Sequence, residues 1–248
     1  MTPILETRAL TRRFDAFTAL SNVSVAIHAG ALTSVIGPNG AGKSTFFNLV
    51  SGALAPSAGT IHFEGCDITG TPQHRFAPLG IAKSFQITNV FPQLTALENV
   101  RVAAQALDTG LDPWRPRARL TTLVDQAQTL LATVGLANRA TATAATLAHG
   151  QQRALEIAMA LAARPRLLLM DEPTAGMSPE ETRTVMDLIL RLATTCTVVV
   201  VEHKMKLVMG ISDRLLVLHH GELLAEGTPD DIRNNDEVRR VYLGKRAA

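Results

Sequence analysis

The sequence predicts an α/β chain with a parallel sheet at its centre, an antiparallel β-subdomain towards its N-terminus and an inserted α-helical subdomain. Three observations carry that prediction. Val35-Ile36 ends an apolar run, Gly37-Pro38-Asn39-Gly40-Ala41-Gly42-Lys43-Ser44-Thr45 follows, and Phe46 to Val50 continues in helix-compatible sequence. A glycine-rich stretch of the form G-x-x-x-x-G-K-[ST] therefore joins a strand to a helix, the context of a phosphate-binding loop (P-loop). Arg166-Leu167-Leu168-Leu169-Met170 is an apolar run closed by two carboxylates, Asp171 and Glu172, as in a strand buried on both faces. Beyond it helix, strand, helix and strand alternate at 179–192, 197–201, 205–211 and 214–218, which argues parallel βαβ units.

Taken in order, the runs Ile4 to Leu10, Leu20 to Ile27 and Leu32 to Ile36, with a turn at His28-Ala29-Gly30-Ala31, read as strands of a small β-rich lobe leading into the loop. Phe14 lies between the first two runs; by itself it is either a core residue or a platform for a base. A helix begins near Lys43 and is broken by Gly52 and Pro56. Gly59 to Gly65 reads as strand and turn, Thr71-Pro72 opens a short helix to about Leu79, and Ile81 to Gln86 is a short strand with Gln86 at its end. From about Ile87 the pattern turns helical, at 95–106, 120–134 and from about Gln151, with a Gly/Pro-broken loop at 108–117 between the first two. This places a helical subdomain at about 87–161 within a core formed by 1–86 and 162–248. Gly221 to Gly227 reads as a hairpin, and small helices follow Pro229.

Composition bounds the partners. The 248 residues suffice for one large domain or a core with an insert. With 24 basic and 22 acidic residues the net charge is +2, which gives no electrostatic case for nucleic acid. Cys66 and Cys196 lack a metal-like spacing and are too few for a disulfide framework, so a reducing, cytosolic setting fits. The N-terminus shows no signal pattern, and no apolar run approaches the ~20 residues needed to cross a bilayer. The chain is expected to be soluble by itself, with any membrane role peripheral.

The chemistry gathers at expected strand ends, where parallel sheets place ligands. Loop glycines aim backbone N–H groups inward, and the following helix adds its N-terminal dipole. Lys43 is suited to the β- and γ-phosphates and Ser44 to Mg²⁺. Asp171 closes its strand in the Walker B manner and can hold Mg²⁺ directly or through water. Glu172 is placed to orient or deprotonate a water, Gln86 to link metal or water to a mobile region, and His203 to reach the γ-phosphate. Each alone has a bland reading, a solvated turn or a satisfied histidine; in this order after a phosphate loop they read as a nucleotide site.

Leu147-Ala148-His149-Gly150-Gln151-Gln152-Arg153 lies about twenty residues before Asp171. With it the chain resembles the ATP-binding-cassette (ABC) ATPases over essentially its whole length: phosphate loop, Q-loop, L-S-G-G-Q signature, Walker B plus Glu, and switch His occur in that order. The resemblance implies binding of ATP and Mg²⁺ by Gly37 to Thr45, Gln86 and His203, with Ser44, Gln86 and Asp171 at the metal. It implies adenine stacking on Phe14, and a head-to-tail dimer in which Ala148, His149, Gly150 and Gln151 face the other subunit's ATP. Phe85-Gln86, Phe91-Pro92, Leu97-Glu98-Asn99-Val100, Asp171 through Glu181, Glu202-His203, Lys206 through Gly210 and Gly227 through Gly244 look like the ATPase subunits of branched-chain amino acid importers, more closely the first of that system's two. Expected partners are a second ABC ATPase, two separate transmembrane permease subunits and, indirectly, a solute-binding protein, at the cytoplasmic face of the inner membrane. ATPases of urea and short-amide importers, and of lipopolysaccharide extraction, are the alternatives.

Four positions depart from the family pattern, one of them His149 in place of the first signature Gly. Ala148 replaces the signature Ser, and losing that donor to a γ-phosphate costs about 1.5–3 kcal/mol unless His149 or the Gly150 N–H replaces it. Ser178 stands where many ABC ATPases carry Asp. Lys204 follows the switch His where these importers usually have Asp; it either retunes hydrolysis or faces solvent, and the second reading is preferred.

Overall fold

In the computed structural model, which describes residues 3–84, 90–107 and 117–243, strands β1 (Leu5–Phe14) and β2 (Phe17–Ile27) form an antiparallel hairpin. Leu5 and Thr7 of β1, and Val23, Val25 and Ile27 of β2, turn inward at the two-residue period of a half-buried sheet, and a bulge at Ala9 shifts the next inward residue of β1 to Leu10. β1 also pairs with β4 (Ala58–Phe63), and β4 with the short β5 (Cys66–Asp67), giving an antiparallel sheet in the order β2-β1-β4-β5. Both strands of the hairpin run longer than their apolar cores, so Phe14 and Phe17 stand at its tip as a pair.

β3 (Leu32–Ile36) does not belong to that lobe, contrary to the sequence expectation. All five of its residues are buried, and it lies between β9 (Arg214–His219) and β8 (Thr197–Val201), parallel to both. The second sheet has the order β10-β9-β3-β8-β7-β6, with β7 at Leu167–Asp171, β6 at Ile81–Ser84 and β10 at Glu222–Gly227. Its pairs are parallel except β9 with β10. Continuous Leu/Val runs in β7 and β8 follow from burial on both faces.

One face of this sheet packs on α1 (Lys43–Val50) and the antiparallel lobe; Phe46, Phe47, Leu49, Leu169, Val199 and Val201 share that core. The other face packs on α5 (His149–Leu161) and α6 (Pro179–Ala193), through Leu155, Ile157, Ile189, Leu168 and Val200. α3 (Ala96–Leu107) and α4 (Arg117–Thr133) join this second core by Ala96, Val100, Ala127 and Leu131. The short α2 (Phe76–Leu79) precedes β6 and α7 (Met205–Val208) follows β8; α7 ends sooner than expected, with Met209 as its cap. α8 (Pro229–Asn234), α9 (Asp236–Val238) and a π-helical turn at Arg239–Leu243 close the described chain. Their Ile232, Val238 and Tyr242 pack against Ile36, Val208 and Val217, behind the strand that feeds the glycine-rich loop. Among the described residues no helix is long and apolar enough to cross a membrane.

Candidate nucleotide site

The parallel order β3-β8-β7-β6 brings four carboxyl-terminal strand ends side by side. From β3 issues the loop Gly37 to Gly42, and α1 starts at Lys43. Gly42 adopts φ 97°, and a Cβ there would stand 2.8 Å from Ala19 O, so only glycine lets the loop lie this close to β2. The loop is also tied down from behind. Gly221 N donates to Ala41 O at 3.0 Å, while Gly221 O accepts from Ser21 N at 2.8 Å. Asn39, Gly40 and Ser44 are exposed at the mouth.

Lys43 is almost fully buried, and its Nζ donates to Gly37 O at 2.8 Å and Pro38 O at 3.0 Å, folding the side chain over the loop. Burial pushes its pKa down; the nearby Glu172 and Asp171 carboxylates partly offset that. Asp171, at the end of β7, has its pKa raised by burial, against the pull of Lys83, Arg153 and Lys43. Its backbone carbonyl accepts from Arg153 Nη2 at 2.8 Å, and Arg153 Nη1 donates to Glu156 Oε2 at 2.6 Å within α5. A buried ion pair on α5 thus braces the strand end that carries Asp171.

Glu172 adopts φ 42°, the left-handed region that a non-glycine residue enters at a cost. Its N–H donates to Val201 O at 2.9 Å, extending the β7–β8 ladder by one bond. The turn aims the carboxylate outward, where Oε1 lies 3.5 Å from His203 Nδ1. The ring of His203 is half exposed. Gln86 lies outside the described residues.

Phe14 is 40% exposed at the hairpin tip, and the Arg12 guanidinium sits over one face of its ring at 4.5 Å. Arg12 Nη1 is held by Ala55 O at 2.9 Å, so the aromatic plane is backed by a fixed cation. Ala148 is the N-cap of α5, and His149 opens the helix; both are exposed. Ala148 has no side-chain acceptor to cap the helix, so half of the usual reciprocal cap is missing. The other half is present: Ala148 N donates to Gln151 Oε1 at 3.2 Å. The Gly150 N–H donates to Glu181 Oε1 at 3.1 Å, from the first turn of α6. His149 stands beside Gly176, with its Cε1 3.6 Å from where a Cβ on that glycine would lie.

Two lysines make contacts that the sequence does not assign. Lys204 does not face solvent as expected: its Nζ donates to Thr174 O at 3.2 Å and to Thr174 Oγ1 at 3.4 Å. Lys83, in the middle of β6, donates to Asn48 Oδ1 at 2.8 Å and lies 4.9 Å from the Phe47 ring centre, with its pKa lowered by burial. A lysine inside the run Ile81-Ala82-Lys83-Ser84 was the available signal.

The donor set suits a nucleotide with its cation. Mg²⁺ takes oxygen ligands, one or two carboxylates with substrate phosphates and water, and an exposed Ser44 hydroxyl and the Asp171 carboxylate on neighbouring elements are of that kind. A glycine-rich loop, a carboxylate-ended strand and a strand followed by Glu202-His203, neighbours in one parallel sheet, with the exposed start of α5 set against Gly176 and Glu181, have the arrangement of a P-loop ATPase of the cassette class. Residues 20–175 match the model of the ABC transporter family, and residues 222–248 that of the branched-chain amino acid ATP-binding cassette transporters. The chain belongs to the ABC transporter family, whose cassettes bind ATP and dimerise within transporter complexes.

Relatives agree across the whole chain. The high-affinity branched-chain amino acid transport ATP-binding protein LivG of Salmonella typhimurium is 42% identical, covering 98% of each chain. BraF of Pseudomonas aeruginosa, of the same description, is 41% identical over the same shares. The ADP conformation of MJ1267, an ATP-binding cassette of an ABC transporter, superposes with a TM-score of 0.86 at 29% identity, covering 98% of this chain and 100% of that one. A dimeric post-hydrolysis state of the cassette MJ0796, bound to ADP and Pi, gives a TM-score of 0.77 at 27% identity, over 91% and 98%.

Proposed function

We propose that this chain is the ATP-hydrolysing subunit of an importer for branched-chain or other hydrophobic amino acids, attached peripherally at the cytoplasmic face of the inner membrane. The observation that carries the reading is the pair Glu172–His203, 3.5 Å apart at the ends of β7 and β8, beside the phosphate loop that ends β3. The substrate class rests on the likeness of the C-terminal residues 222–248 to the branched-chain family and on relatives similar end to end.

In this reading the loop amides and Lys43 neutralise phosphate charge, Lys43 exchanging its bonds to Gly37 O and Pro38 O for phosphate oxygens. Ser44 and Asp171, with Gln86, hold Mg²⁺, which when bound neutralises charge on the phosphate oxygens. Glu172 takes the proton of the attacking water, and His203 donates to the γ-phosphate. Catalysis is therefore positioning and electrostatics rather than covalent chemistry. Phe14, backed by Arg12, stacks on adenine.

A second cassette, identical or not, completes each site by presenting its signature helix. In this chain Ala148 brings no hydroxyl and the Gly150 N–H is already taken by Glu181 Oε1, so His149 and Gln151 provide what the start of α5 offers. The helical subdomain, about 87–161, transmits closure to two separate permease subunits, with a solute-binding protein upstream. Phe91 and Leu94 suit that docking: they are 50% and 37% exposed on a turn clamped by the buried Asn99, which accepts from Phe91 N at 2.7 Å and donates to Thr95 O at 2.9 Å.

The test is steady-state ATP hydrolysis by the chain alone, with a candidate second cassette, and with permease subunits, beside Glu172→Gln. Loss of a general base lowers turnover by about 10²–10⁴-fold. MgATP binding without turnover in any combination would overturn the motor reading.

A further inference from the structure

Glu202 is a carboxylate that the proposed mechanism does not use, and it is fully buried. Burial of such a group is costly unless its oxygens are bonded. Here Oε1 accepts from Thr174 Oγ1 at 2.5 Å and from Thr174 N at 3.3 Å, and Oε2 accepts from His203 N at 3.2 Å. Glu202 N in turn donates to Val35 O at 3.3 Å, on the strand that feeds the phosphate loop. Thr174 is fully buried two residues beyond Glu172, and Glu202 immediately precedes His203. One carboxylate thus joins the two segments just past the points where Glu172 and His203 leave their strands.

Lys204 adds the third side. Thr174 Oγ1 has one hydrogen, given to Glu202, and it accepts from Lys204 Nζ, which also holds Thr174 O. An acidic side chain at 204 has only acceptors when ionised and could not serve Thr174 O.

We propose that Thr174 and Lys204 are positioning residues that, through Glu202, clamp the Glu172 segment to the His203 segment and so set the approach of these two side chains to the nucleotide. The proposal rests on the ATPase reading above. Misplacement of reacting groups by about 1 Å costs up to 10²-fold in rate, so a clamp of this kind acts on turnover rather than on nucleotide affinity.

The experiment uses the full chain with Thr174→Val, which keeps shape and removes the hydroxyl, Thr174→Ser, which restores it, and Lys204→Met. Two readouts are taken: kcat and KM for MgATP hydrolysis, and amide hydrogen exchange at positions 174 and 203 without nucleotide. The expected result for Thr174→Val is a kcat lower by about tenfold with KM within about twofold, and faster exchange at His203. Thr174→Ser recovers both, and Lys204→Met loses about threefold in kcat. Wild-type kcat and exchange in Thr174→Val, or a Thr174→Ser as slow as Thr174→Val, or a raised KM at unchanged kcat, overturns the clamp. Should Thr174→Val not fold, Lys204→Met decides: unchanged kcat and unchanged exchange at 174 and 203 reject it. Exchange does not depend on turnover, so a wild-type chain that fails to hydrolyse ATP rejects the ATPase reading while leaving the clamp separately measured.

Discussion

Glu181 bridges two helices: its Oε1 accepts from Gly150 N at 3.1 Å and its Oε2 from Ser178 N at 3.0 Å. The carboxylate caps its own helix α6 and, at the same time, fills a free N–H at the start of α5. These backbone bonds, Ser178 first, hold its pKa below the usual 4.5. A depressed carboxylate contributes stability that is present above its unfolded value and is lost as pH falls through the lower folded value. Glu181→Gln is therefore expected to melt below wild type at neutral pH. The gap between the two melting temperatures narrows as pH drops below about 4.5. Melting curves from pH 3 to 7 check this, and a gap independent of pH contradicts it.

Arg153 and Glu156 are each about 95% buried and paired at 2.6 Å. Breaking such a pair from one side costs about 3–5 kcal/mol, because the remaining charge stays buried. Glu156→Ala should lower the chemical-denaturation free energy by that amount. A double replacement, Arg153→Met with Glu156→Leu, should recover most of it. The double variant is nonetheless expected to turn over more slowly, since Asp171 O loses the donor that steadies it.

Gly42→Ala and Gly40→Ala separate two effects in the phosphate loop. Both glycines have positive φ, but a Cβ at Gly42 meets Ala19 O at 2.8 Å, while one at Gly40 has nothing within 4 Å. Gly40→Ala carries only the left-handed backbone cost, about 1 kcal/mol. Gly42→Ala must also push the loop off β2, and should raise the ATP dissociation constant by at least tenfold more than Gly40→Ala. Nucleotide titration with both variants measures it.

Phe14→Ala should weaken ATP binding by about 5- to 150-fold, the range of base–aromatic stacking. Arg12→Ala should cost less, because the ring remains and only its backing cation is lost. Equal losses would show that Arg12 itself touches the nucleotide.

The loop Gly37 to Thr45 and the pair Asp171-Glu172 could be found in the sequence because their chemistry lies in consecutive residues, with an apolar run before each. The heptapeptide at Leu147 was equally local. From sequence β3 reads as part of the antiparallel lobe because Leu32 to Ile36 is an ordinary apolar run; only its neighbours β8 and β9, far along the chain, make it central. The contacts of Lys204 and Glu202 are hidden in the sequence for a related reason. Their partner Thr174 is 28 to 30 residues away, and nothing in either segment announces the other. Arg153 reaches Asp171 O across 18 residues in the same manner.

Sheet order has a consequence for how such a chain can change over generations. The proposed phosphate loop, switch histidine and water-activating carboxylate hang from β3, β8 and β7, which are successive neighbours. Strands are spaced about 4.8 Å apart by their hydrogen bonds, so the three anchor points span roughly 10 Å. The backbone ladder acts as a ruler that no single side chain sets. In the proposed role, sequence drift in α3, α4 and the Phe91–Leu94 turn would refit the chain to a different membrane partner while the gauge of the phosphate chemistry stays constant. In that role, partner choice and hydrolytic machinery are free to evolve on separate clocks.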